Sequence, residues 1–252
     1  GAGGDLFVDG SIGSKTALLH EPYSDGSAGV EYISFPDALR HISMSVDSGL
    51  PSGFHAIGDA ATDIVTRAFK TAADTWGSDQ LIAGRHRIEH AEFLSEEQLQ
   101  LCKNFGITLS MQPQFDELWA GPRAMYEQRL GNRYLQLNDF ASASKHGVSL
   151  LFGSDAPVTS LNPWRSVVAA SHTHNSQHSI SLASAFTAHT RAFWRNHGVA
   201  DCGTIEVGAI ASLVLWIIWR TSMPLQSDGH GRQIHVAGTN HCQIFQRPTH
   251  DA

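Results

Sequence analysis

Three short apolar runs in this chain end in a side chain able to ligate a metal, and this recurrence limits its fold more than any other feature. Gly53-Phe54-His55-Ala56-Ile57-Gly58-Asp59 and Arg87-Ile88-Glu89-His90-Ala91 end in histidine, and Val148 to Phe152 runs into Gly153-Ser154-Asp155-Ala156-Pro157. Each run has the length and flanking residues of a buried strand. Pro157 stops the third, as a ring without an N–H must.

Helical patterns separate the strands. Phe35 to Ser48 carries Leu39, Ile42 and Val46 at helical spacing and closes on Gly49. After the first histidine, Asp59 is placed to cap a helix with Ile64, Val65, Ala68, Phe69 and Ala72 on one face. Ser95-Glu96-Glu97-Gln98 reads as a capping box. Ile107 to Gln112 alternates as a strand and stops at Pro113, and a long loop bearing aromatic residues follows. Phe140 to His146 and Ser181 to Asn196 read as further helices, and Asp5 to Asp9 as a first short strand.

Five strands alternating with helices imply an α/β fold with a parallel sheet and right-handed crossovers, as a (β/α) barrel or an open sheet. A full barrel needs eight such units, and roughly 200 residues here supply five. After Asn196 the texture changes to short β-like pieces, Gly203 to Gly208, Ala211 to Trp219 and Cys242 to Phe245, with a polar loop over 222 to 240. The expected division is therefore 1–200 and 201–252.

The totals exclude several classes. Of 252 residues, 17 are basic and 24 acidic, a formal net charge of −7 without the basic stripe that nucleic acid requires. Cys102, Cys202 and Cys242 are far apart, which points away from a disulfide framework and toward a reducing, cytoplasmic setting. The apolar run Leu213 to Trp219 is far shorter than the ~20 residues of a membrane span. Gly10-Ser11-Ile12-Gly13-Ser14-Lys15-Thr16 resembles a phosphate loop only loosely, because Ser14 precedes Lys15.

In a parallel sheet the carboxyl ends of the strands share one rim, so His55, His90 and Asp155 are expected to meet. Alternation would place Ile57 with His55, Ile88 with His90 and Gly153 with Asp155 on the inward side. Imidazole and carboxylate suit zinc, and an incomplete ligand set leaves room for water, whose proton Asp155 would accept. Taken singly, each of the three is more often a packing or loop-capping residue than a ligand. Gln112 could reach substrate or satisfy a backbone group. His86 is expected in the core, and His172-Thr173-His174 in a solvated polar patch.

Leu6-Phe7-Val8-Asp9-Gly10-Ser11 with Gly13-Ser14-Lys15-Thr16-Ala17, then His55 to Asp59, Arg87 to Ala91, Gln112-Pro113 and Gly153 to Val158 resemble the metal-dependent amidohydrolase superfamily. The nearest branch is amidohydrolase family 3, which includes N-substituted formamide deformylases. The resemblance implies strands four to eight of a TIM-like barrel, plus a β-sandwich remnant at the C-terminus. It implies a divalent metal, zinc above all, held by His55, His90 and Asp155, with Asp155 as general base. Asp9 and Gln112 are the candidate substrate contacts.

Two departures accompany it. The family's His-x-His belongs to an N-terminal half outside this sequence, so a separate half or a second copy is an expected partner. Asp5 stands where relatives carry a carboxylatable lysine, which excludes a lysine-bridged metal pair and leaves one metal or direct ligation by Asp5. The expected activity is hydrolysis of a non-peptide carbon–nitrogen bond in a small amide or formamide. The alternative is a truncated, non-catalytic relic or binding fragment. The aromatics Phe115, Trp119, Tyr126 and Trp164, in the loops 114 to 137 and 158 to 180, are the expected pocket walls.

Overall fold

The computed structural model of the chain describes residues 6–211 together with the strands at 213–216, 226–227, 233–234 and 242–245. Asp5, whose direct ligation is one of the two alternatives, lies outside the described residues, as does most of 222–240. The chain divides into two compact units, 1–198 and 199–252.

The first unit is built on a five-stranded sheet in sequence order, each neighbouring pair parallel: β1 (Leu6–Phe7), β2 (Gly53–Ala56), β3 (Arg87–His90), β4 (Thr108–Met111) and β5 (Leu150–Phe152). The intervening helices are α1 (Phe35–Asp47), α2 (Asp59–Trp76), α3 (Ser78–Gly84), α4 (Glu96–Asn104), α5 (Pro113–Trp119), α6 (Met125–Leu130) and α7 (Phe140–Lys145), and α8 (Pro163–Ser171), α9 (Leu182–His189) and α10 (Arg191–Asn196) follow β5. In the second unit β6 (Leu213–Trp216) pairs antiparallel with β9 (Cys242–Phe245), and β7 (Gln226–Ser227) with β8 (Gln233–Ile234). The latter pair falls inside the stretch expected as loop.

Register makes the two faces of the sheet legible. Leu6, Phe54, Ile88, Leu109 and Leu150 are neighbours across all five strands. All five belong to or pack on the main core, with Ala38 and Ile42 of α1, Val65, Ala68 and Phe69 of α2, and Ala185 of α9. Because side chains alternate, the next row, Phe7, His55, Glu89, Ser110 and Leu151, faces away from the helices. Glu89 is ion-paired with Arg87 on that same face.

Several local expectations need correction. Asp59 is not the cap of α2; Gly58 is, and a Cβ there would stand 1.9 Å from the Leu18 carbonyl oxygen, so the close approach of two loops requires glycine. Asp59 instead accepts from the amide of His20 at 2.9 Å. The expected loop after Pro113 contains α5, α6 and a 3-10 turn over Gly131–Gln136, because proline also suits the first turn of a helix. Ser181 to Asn196 is two helices, broken at Thr190 (φ −130°, ψ −88°), whose hydroxyl bonds back to the Phe186 carbonyl at 2.7 Å. At Ser95 the capping box forms as expected, with both reciprocal bonds to Gln98 present.

His86 is fully buried beneath β3, where its Nδ1 accepts from the Ser52 amide at 3.1 Å. Its Nε2, which then carries the proton, meets no hydrogen-bond partner among the described residues. Burial, with a smaller contribution from His41, pushes its pKa down to about 4. The unfolded chain therefore binds this proton more readily, so the stabilisation is complete above pH ~6.5 and lost as pH falls from there toward 4, roughly 3 kcal/mol in all. The urea midpoint should fall over that window. His86→Gln, which keeps an acceptor for Ser52, should flatten part of the decline.

Candidate metal centre

His55 leaves β2 on the face away from the helices, and its Nε2 lies 3.1 Å from the carbonyl oxygen of Gly10. A carbonyl only accepts, so Nε2 carries the hydrogen and Nδ1 keeps the lone pair. Asp9 Oδ1 stands 3.8 Å from the same Nε2, behind this bond.

His90 arrives by a different route. Its cross-strand partner is Ala56, and their row, with Met111 and Phe152, belongs to the helix side. Simple alternation would bury His90 under the helices beside Ile88. Its backbone is left-handed instead, with φ +69° at His90 and +48° at Ala91, and its ring lies edge-on to His55, centroids 4.4 Å apart. The expected pairing of Ile88 with His90 on one face is thus overturned, while the meeting of the two imidazoles is observed. Left-handed backbone at a non-glycine residue is costly, and such strain concentrates at functional sites.

Gln112 fixes the second ring. Its amide nitrogen donates to the Ser110 carbonyl at 3.2 Å, which turns its oxygen toward His90 Nδ1 at 2.8 Å. Nδ1 therefore carries the hydrogen, and Nε2 of His90 keeps its lone pair. Two adjacent imidazoles with one lone pair each, both oriented by oxygen acceptors, suit a borderline divalent cation.

Asp155 follows β5 in an exposed turn with φ +53°. Among the described residues no group of three His, Cys, Asp or Glu side chains closes as a metal shell. The structure thus brings His55 and His90 together and does not complete a three-ligand set with Asp155. His174 of the HxH sequence is held by Asp116, which accepts its backbone N–H at 3.0 Å and lies 3.3 Å from Nδ1.

Asp9 is wholly buried, and its oxygens accept the amides of Leu18, Ile57 and Gly58 at 2.9, 3.0 and 2.8 Å. Burial pushes its carboxyl up to about 7, against those three donors, which favour the charged form. These bonds tie the loops after β1 and β2 and so set the position of the Gly10 carbonyl. Gln112, also buried, spends both ends of its amide within the protein. Each expected substrate contact is thus engaged in holding one of the two histidines.

Rings flank the pair on both sides. Phe7 lies 4.5 Å from His55, Phe115 stacks on His90 at 5.8 Å, and Trp119 continues from Phe115 at 4.5 Å. Tyr126 donates to the buried Glu92 carboxylate at 2.6 Å, anchoring α6 two residues beyond His90. Trp164, expected in the pocket wall, packs on the main core and stacks on Phe186. The spacing Leu6-Phe7 against Phe54-His55 contains the Phe7–His55 pairing, but only strand register reveals it.

Comparison with known proteins agrees with this architecture. The chain is 30% identical over 225 residues to Protein LONG AFTER FAR-RED 3 of Arabidopsis thaliana, covering 83% of this chain and 37% of that protein. A metal-dependent hydrolase from Pyrococcus furiosus superposes with a TM-score of 0.70 at 29% identity, over 83% of this chain and 42% of that one. One from Pyrococcus horikoshii OT3 gives 0.68 at 29% identity, over 81% and 42%. The chain thus spans less than half the length of each. The amidohydrolase family model matches residues 2–226, and the chain belongs to that family.

Proposed function

We propose that this chain carries the metal-binding part of a hydrolase acting on a non-peptide carbon–nitrogen bond, with an amide or formamide as substrate. The observation that supports it most is the His55–His90 ring pair, with both tautomers set by oxygen acceptors. In this reading the sheet is strands four to eight of a TIM-like barrel, and 199–252 is a β-sandwich remnant. His55 Nδ1 and His90 Nε2 hold a divalent cation, zinc by donor chemistry, and Asp155 joins them, since metal affinity draws ligands together. Such a cation supplies Lewis acidity, which makes water a nucleophile near neutral pH and polarises a carbonyl. Asp155, at the rim, accepts the proton of the attacking water and returns it to the departing amine. Gly10 and Gln112 keep the imidazoles in their ligating tautomers, and Asp9 holds Gly10 in place.

The test is a metal titration followed by an assay of amine release from a panel of formamides and N-substituted amides. Stoichiometric metal with hydrolysis, both lost in His90→Ala, is the expected result; absence of metal from the wild-type chain would end this reading. A second reading, a metal-binding fragment without turnover, draws on the incomplete ligand set among the described residues and predicts metal without amine release. Gln112→Leu should weaken metal binding by roughly 10- to 100-fold, the usual cost of losing the group that orients a ligating histidine.

A further inference from the structure

We propose that Gln114 is a positioning residue for the metal site: its buried amide fastens the turn carrying Asp155 to the same stretch of chain that holds His90. The inference rests on the reading of His55, His90 and Asp155 as ligands of one cation, and it deepens that reading by naming what sets the reach of the carboxylate.

Gln114 lies in the first turn of α5 and is wholly buried. An amide is costly to bury unless its polar atoms are bonded, and here the partners all come from the segment after β5. Nε2 donates to the Ser160 carbonyl at 2.9 Å and to Ser166 Oγ at 3.0 Å, and Ser160 Oγ donates to Oε1 at 2.8 Å. A carbonyl only accepts, so the amide has one orientation. The turn rests its other end on the same stretch, because the Gly153 amide donates to the Met111 carbonyl at 3.1 Å. Between these two fastenings the turn is tied to itself. Val158 N–H donates to the Asp155 carbonyl at 2.8 Å, Ala156 N–H to Ser154 Oγ at 3.2 Å, and the buried Thr159 hydroxyl to the Ser154 carbonyl. A turn braced in this way passes any displacement of Ser160 on to Asp155. Beside Gln114, Gln112 bonds to His90 Nδ1 and Phe115 stacks on the same ring. Positions 111 to 115 therefore hold one ligand directly and the other through Ser160, so the distance from His90 to Asp155 is set on a single short piece of backbone.

The experiment is a double-mutant cycle on the zinc affinity of the full chain, measured by competition with a chromophoric chelator. Gln114→Met, which keeps the side-chain volume and removes the bonds, should bind zinc roughly tenfold more weakly, as on loss of a group that orients a ligand. In an Asp155→Ala background the same change should cost nothing further, because Gln114 acts through that carboxylate. Gln112→Leu, which acts through His90, should weaken zinc equally in both backgrounds. Ser166→Ala frees the Gln114 amide from α8 alone and should leave the affinity unchanged, which separates the tie to the turn from general packing. The unfolding midpoint checks that each variant folds; should Gln114→Met not fold, the cycle is run with Ser160→Ala, for which a smaller loss in the same sense is expected. An unchanged affinity in the folded variant, or an equal loss with and without Asp155, would overturn the role of Gln114 while leaving the metal site standing. If Asp155→Ala binds zinc as wild type does, Gln114 has no ligand to position and the inference fails with His55 and His90 still in place. A wild-type chain that takes up no zinc ends both readings.

Discussion

Zinc titrated into the His90→Ala chain is expected to find no stoichiometric site, whereas the wild-type chain should take up one equivalent. The loss should exceed the ~10- to 100-fold expected for an orienting residue, because an electron-pair donor itself is removed. Some stability should be lost with the packing on Phe115 and the bond to Gln112, but the backbone cost is unchanged, since alanine meets the same left-handed φ, +69°, that histidine does. His90→Gly separates the two effects further. Glycine occupies that region without penalty, so relief of ~1 kcal/mol should offset part of the lost packing on Phe115 while the metal is lost all the same. Equilibrium dialysis with metal analysis, beside urea unfolding, reads both quantities. Undiminished zinc in either variant would remove His90 from the ligand set.

Phe54→Ala should destabilise the chain by about 3–5 kcal/mol, the range for truncating a wholly buried phenylalanine. Phe54 is completely covered, edge-on to Phe69 at 6.1 Å and to His41 at 5.5 Å, in the row shared with Leu6 and Ile88. Removal of its ring leaves a cavity between the sheet, α1 and α2 that helices anchored at both ends cannot close. Phe7→Ala, on the opposite face, should stay within about 0.5 kcal/mol of wild type. Urea unfolding with an unchanged slope would give both values. Equal losses in the two variants would contradict the assignment of faces on which the site description depends.

The contrast between these two phenylalanines shows where sequence reading stopped. Leu6-Phe7 and Phe54-His55 alternate visibly, but which member of each pair meets the helices depends on pairing with a strand some fifty residues away. His90 shows it more sharply. Period two assigned it to the face of Ile88, and two consecutive left-handed residues, His90 and Ala91, sent it to the other. Asp155 also has positive φ, and neither its sequence neighbours nor its strand foretells that. Thr190 split a helix whose apolar spacing ran on across the break, because a hydroxyl bond to the backbone is as local as the helix bond it displaces.

The amino-acid order by itself determined the alternation of strands and helices, the polar residues at strand ends and the family pattern, since each depends on composition over a few neighbouring residues. Apolar periodicity and the steric rules for proline and glycine act at that range. The strand ends already pointed to a meeting of His55 and His90; tertiary structure alone decided by which backbone turn their rings come together, that Gln112 and Gly10 choose their tautomers, and that Asp9 serves the loops. Those outcomes depend on register and on hydrogen bonds across long sequence separations. A bond between residues 22 or 45 positions apart exists only once the sheet has brought them together.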